Sequence, residues 1–198
     1  MALFGKSKSE KREEATLVLT ATMGGFPHII AQEIADLEGT EDMAVQMKLH
    51  MEVLGFFCHY LSRAALSVGG PNFRAELQDM VVPMVINATL EVSTGAGGSN
   101  PENYESWKAR FKENLLEFIG EMEVELAECK SLGVSESEMK AFSFTKTETM
   151  VGVLAARIDR MLGTEDHLTT RMNVALTTAK GLASAQIGSS IEEIWKNR

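Results

Sequence analysis

The chain has 198 residues, 44% of them hydrophobic and 24% charged, with a formal net charge of −9. A chain of this length and composition suits one globular domain with a sizeable core. The acidity argues against nucleic-acid binding, which needs a basic face for phosphates, and two cysteines in so long a chain, Cys58 and Cys129, exclude a disulfide framework.

No run of residues is long and apolar enough for a membrane span, and the two cysteines read as reduced thiols of a cytoplasmic protein. At the start, Lys6, Lys8, Lys11 and Arg12 precede the apolar run ATLVLTATM, as in a signal peptide, but Glu10, Glu13 and Glu14 do not suit one. Residues 1–9 are expected to form a mobile tail ahead of a single helical-bundle domain, 10–198.

Apolar residues recur at three and four, not two, which predicts helices throughout. A first helix is expected over about 10–38, interrupted by Gly24, Gly25 and Pro27. A second is expected over about 41–68 and a third from Pro71 to about Val92, with Val68-Gly69-Gly70-Pro71 as a short turn between antiparallel neighbours. The segment STGAGGSN, 93–100, reads as a Gly-rich linker between two helical halves. Beyond it, Tyr104, Trp107, Phe111, Leu115, Phe118, Met122, Leu126 and Cys129 mark one face of a fourth helix. A fifth is expected over about 136–162, weakest at 143–149, and a sixth over about 165–195. The fold class is therefore all-α, a bundle of five to seven helices.

Gly39-Thr40-Glu41-Asp42 recurs as Gly163-Thr164-Glu165-Asp166. Both lie between expected helices. They read as shared turn chemistry: a left-handed glycine closes one helix, threonine caps the next and two acids face its positive end.

Signatures of chemistry are missing. The residues three before His28, His50, His59 and His167 are Gly25, Met47, Phe56 and Thr164, so the Glu-x-x-His pattern of di-iron bundles fails. There is no His-Glu-x-x-His or Cys-x-x-Cys for zinc, no Cys-x-x-Cys-His for haem and no P-loop. Ser137 and Lys140 match Ser-x-x-Lys without the motifs that accompany it. No cofactor, metal or catalytic residue is assigned. Met43, Met47, Met80, Met84, Met122, Met150 and Met172 fall on apolar stripes and read as core filler.

The stretch GFFCHYLSRAALSVGGPNF brings Cys58, His59 and Arg63 together in sequence. On a helix, Met43, Met47, His50, Leu54, Cys58, Leu61, Ala65 and Val68 share a stripe within about 40° of Leu54, His59 lies about 100° away from Cys58 and Arg63 about 180° from the stripe. Cys58 and His59 are thus no thiolate–imidazole pair. His50, alone among apolar neighbours, and Cys58 are the candidate lining of a pocket. Counting outward from Gly69-Gly70 sets Arg63 against Glu76 and His59 against Asp79, with Phe56 facing Pro83 and Glu52 facing Asn87: a candidate polar seam, or two solvated helix faces.

These features favour a non-enzymatic interaction or scaffold protein. It would associate with itself or another protein through wide apolar faces, Trp107, Phe111 and Phe118 on one helix and Ile187, Ile191 and Trp195 on another. The alternative is a sensor bundle that binds a small apolar ligand between helices.

Overall fold

The computed structural model describes residues 5–93 and 146–198, together with Ala109, Glu113 and Gly120. Its elements are α1 (Lys8–Leu37), α2 (Met43–Ser93), α3 (Lys146–Leu162), α4 (His167–Ala185) and α5 (Ile187–Lys196), and the described residues contain no strand. The all-α expectation holds for them. Past Ser93, the Gly-rich stretch and the helix expected from Pro101 to Cys129 lie outside the described residues, apart from the three isolated positions. No helix among the described residues is long and apolar enough to cross a membrane.

α1 starts earlier than the periodicity implies, because Ser7 and Glu10 form a capping box. Ser7 Oγ accepts the Glu10 amide at 3.2 Å and Glu10 Oε2 accepts the Ser7 amide at 2.7 Å, which also pulls the Glu10 pKa down. The helix then runs unbroken through Gly24, Gly25 and Pro27. Proline removes one backbone hydrogen bond, but the fully buried Met23 and Ile30 on either side tie both halves of the helix into packing. At Gly24 a Cβ would lie 3.8 Å from the Ala88 Cβ, an ordinary contact between α1 and α2.

The second and third expected helices are both present as the two helical stretches of α2, which meet at the non-helical Gly70 (φ 77°, ψ −173°). The chain reverses there as expected: the first stretch runs back along α1 from the turn at 39–40, and the second runs in the direction of α1, with Glu76 at Arg12, Met84 at Thr20 and Ala88 beside Gly24. The sixth expected helix, by contrast, is divided: Gln186 adopts the left-handed conformation (φ 49°, ψ 32°) between α4 and α5. The twin tetrapeptides do close helices with left-handed glycines, Gly39 at φ 65° and Gly163 at φ 62°. Their caps are aspartates rather than threonines: Asp42 Oδ1 accepts the Ala44 amide at 2.7 Å and Asp166 Oδ1 the Thr169 amide at 3.1 Å.

The chain divides into two compact units, one of Met1–Phe26, Phe57–Lys112 and Ala185–Arg198, the other of Pro27–Phe56 and Glu113–Ser184. In the first, Leu19 and Met23 of α1, Leu61, Phe73, Leu77 and Val85 of α2, and Ile187, Ile191 and Ile194 of α5 are buried. In the second, Ile30 and Ile34 of α1, Leu49, Val53, Leu54 and Phe56 of α2, Leu154 and Ile158 of α3, and Val174 of α4 are among the buried residues. Ile187 and Ile191 thus serve the core of their own unit. Trp195 is 37% exposed and rests on Phe73, ring centres 4.9 Å apart. Met43, Met47, Met84 and Met172 are exposed rather than core filler, whereas Met150 is buried.

Gly181 of α4 lies close against α1, since a Cβ there would run into Ile30 Cδ1 and fall 2.8 Å from its Cγ1. Helix propensity favours alanine over glycine by up to about 1 kcal/mol, but Ile30 is buried and has little room to yield. Gly181→Ala is therefore expected to destabilise the protein by about 1–3 kcal/mol, read as a lowered midpoint in denaturant melts. A gain in stability would show that α1 and α4 do not pack this closely.

Candidate functional site

Leu49 to His59 of α2 are buried without exception, so this part of the helix is enclosed all round rather than along one stripe. That is why polar residues which a one-sided helix would expose lie inside. Glu52 and Arg157 of α3, with side chains 9% and 7% exposed, meet as a fork: Arg157 Nε donates to Glu52 Oε2 at 2.7 Å and Nη2 to Oε1 at 2.9 Å. Two parallel charge-assisted bonds fix distance and orientation together.

One hairpin of the same unit, α1 turning into α2, brings His28 and His50 together. Their rings lie 5.3 Å apart, centre to centre, at 63°. His28 is exposed and His50 is 7% exposed. Burial, and secondarily the neighbouring His28, lowers the His50 pKa to about 4, so its imidazole is neutral at ordinary pH. His50 Nε2 is buried and has no hydrogen-bond partner among the described residues.

A hydrogen-bond network sits at the turns of this unit. Asp159 of α3, its side chain 1% exposed, takes His167 Nδ1 at 2.8 Å and Thr164 Oγ1 at 3.1 Å on Oδ1, and Arg171 Nε at 2.7 Å on Oδ2. These bonds, that from His167 foremost, hold the Asp159 pKa down to about 2. A carboxylate so well satisfied is a poor proton acceptor at neutral pH and acts as an anchor. Glu38, just past α1, accepts Thr170 Oγ1 at 2.7 Å and Asn173 Nδ2 at 2.9 Å, tying the first turn to α4. Among the described residues, no three of His, Cys, Asp and Glu converge as a metal-ligand group.

The residues singled out from the sequence are distributed differently. His50 and Cys58 fall in different units. Cys58 is 1% exposed and burial raises its pKa to about 12, the state of an inert thiol. Arg63 and Asp79 are exposed, His59 is fully buried, and the structure does not bring Arg63 to Glu76. Glu76 instead takes Arg12 of α1 and, at 2.6 Å, Arg198 Nη2 near the C-terminus. The Arg198 guanidinium also lies over Phe73 and Trp195, 5.7 and 5.2 Å from their ring centres. The reversal at Gly69-Gly70 that the count presumed is present, but Glu76 is directed to α1 and the C-terminus rather than to the preceding helical stretch. Glu52 finds Arg157 in place of Asn87. A similar count outward from the turn at 39–40, where the chain also reverses, puts His28 within a residue or so of His50. The Glu52–Arg157 pair, 105 positions apart in the chain, left no such local trace.

The chain matches no protein-family model, and no curated protein or solved structure is significantly similar to it.

Two outcomes test this polar framework. Arg157→Leu leaves the Glu52 carboxylate buried and is expected to cost about 3–5 kcal/mol, with Glu52→Leu in the same chain restoring much of the loss. Denaturant melts of the two single variants and the double variant check this, and an additive double variant would deny the coupling. Asp159 has a folded-state pKa below its unfolded value of about 3.9, so its contribution is complete above that pH and is lost as pH falls towards about 2. The stability gap between the wild type and Asp159→Asn is expected to shrink across that window, in melts at successive pH values. A gap constant from pH 5 to pH 2 would count against the anchor.

Proposed function

We propose that the protein is a non-enzymatic helical interaction protein that associates with a second copy of itself through the outer face of α4. The observation that carries this is the inverted polarity of that helix. Its buried side holds Thr170, Thr177 and Thr178 beside Val174, while Leu168, Met172 and Leu176 are 71%, 53% and 66% exposed. Ala175, Ala179 and Ala183 fall with those three within about 100° of arc, one uninterrupted apolar stripe. Contiguous exposed apolar surface of this kind marks association sites.

Charge supports a second copy as the occupant. The stripe has Glu165 and Asp166 at its N-terminal end and Lys180 towards its C-terminal end. Two such helices, antiparallel about a two-fold axis between Met172 and Asn173, set Glu165 of each against Lys180 of the other. Both acid–base pairs form at once, as a self-complementary interface requires.

Light scattering coupled to gel filtration tests the reading. The wild type is expected to run as a dimer at micromolar concentration, and Leu176→Glu as a folded monomer, because a carboxylate is not desolvated in an apolar contact without a partner. Lys180→Glu is expected to weaken the dimer and Glu165→Lys in addition to restore it. A wild type that is monomeric at about 50–100 μM (roughly 50- to 100-fold above a Kd of about 1 μM) defeats the proposal.

The second reading, a ligand-binding sensor bundle, draws its support from the second unit alone: the unsatisfied, buried ring nitrogen of His50 beside the exposed His28.

A further inference from the structure

We infer that His28 and His50 form a binding site for a borderline divalent transition-metal ion of the zinc and nickel class, held by one imidazole from each helix of the α1–α2 hairpin. The site is independent of the α4 face.

Three observations carry it. The first is distance. A zinc ion about 2.1 Å from one nitrogen of each ring lies about 3.2 Å from each ring centre, and a tetrahedral angle at the metal then separates the centres by about 5 Å. The two rings stand 5.3 Å apart. The second is the unmet bonding of His50. Its Nε2 is a buried polar atom in a residue 7% exposed, without a hydrogen-bond partner among the described residues. Such atoms are rare in folded proteins because each loses its hydration without return. A metal ion satisfies that nitrogen, whereas ring-on-ring contact with His28 does not. The third is access. His28 is exposed, so an ion from solvent meets His28 first and reaches His50 from it.

The donor set decides the class of ion. Neutral imidazoles suit zinc, nickel and copper(II) and disfavour magnesium and calcium, which take oxygen ligands. With two protein ligands and no third among the described His, Cys, Asp and Glu residues, the remaining positions fall to water or to a ligand from solution. A site of this make-up is open and exchangeable, unlike the closed four-ligand sites that hold a fold together. Because the two histidines come from different helices, the bound ion also cross-links the hairpin.

Titration of the full-length protein with zinc chloride by calorimetry, with thermal melts alongside, tests the inference. One zinc per chain is expected to bind at micromolar concentrations and to raise the melting temperature; magnesium is expected to do neither. His28→Ala, at an exposed position where misfolding is least of a concern, is expected to weaken zinc binding at least tenfold. His50→Gln is expected to do the same. His167→Ala, at the exposed histidine elsewhere in the unit, is expected to leave the titration unchanged. Copper(II) added to the wild type is expected to show hyperfine coupling to two imidazole nitrogens in electron paramagnetic resonance, and to one in His28→Ala. Zinc affinity undiminished in His28→Ala, loss of binding only in His167→Ala, or no binding at 100 μM zinc would each overturn the site.

Discussion

Glu52 sits on a stretch of α2 that is buried around its whole circumference, and a carboxylate stands there because Arg157 meets it with two hydrogen bonds. Removing either charge from water costs several kcal/mol, and only close, forked geometry offsets that cost. The pair is correspondingly selective. A shift of α3 by one residue along its axis turns Arg157 by about 100°, and the fork opens. Apolar contacts such as those of Leu154 and Ile158 on α3 survive small slips with modest loss. The ion pair does not, and so it sets the register of α3 against α2 within this unit.

The turns of the same unit follow from a second polar constraint. Each twin tetrapeptide ends a helix with a left-handed glycine and starts the next with an aspartate cap, so the two are alike in backbone. Their threonines differ. Thr40 offers its carbonyl to Gln46, while Thr164 donates its hydroxyl to Asp159. Thr170 has one proton to give, and the Glu38 carboxylate at 2.7 Å is its better acceptor than Thr164 Oγ1 at 3.1 Å. The result is that Glu38 and Asp159, from the ends of α1 and α3, both hold the first turns of α4.

Local rules carried the sequence reading a long way and then failed for one reason. Helical periodicity and the two glycine turns depend on neighbours within a few positions, and they are found as expected among the described residues. The capping box at Ser7 and Glu10 was equally legible from its spacing. What local rules miss is the consequence of burial all round. A stripe calculation assigns Glu52 and His59 to the outside because it assumes that α2 has one. Likewise Pro27, a strong local breaker, is overruled by the packing of Met23 and Ile30. The partners of Glu76 come from the two ends of the chain, where no spacing argument reaches.

The inverted helix α4 sets stability against the proposed association. Burying threonine hydroxyls gains less than burying hydrocarbon, since each hydroxyl must find an acceptor inside. Leaving two leucines and a methionine in water forgoes roughly 1.5–3 kcal/mol for each side chain that a core position would bury. Turning α4 about its axis would hide the stripe, but it would also break the bonds of Thr170 and Asn173 to Glu38 and of Arg171 to Asp159. Those polar contacts therefore hold the apolar face outward. Folding thus fixes the orientation through polar contacts while gaining nothing from the hydrocarbon left in water; in the proposed self-association a partner surface would remove that hydrocarbon from water.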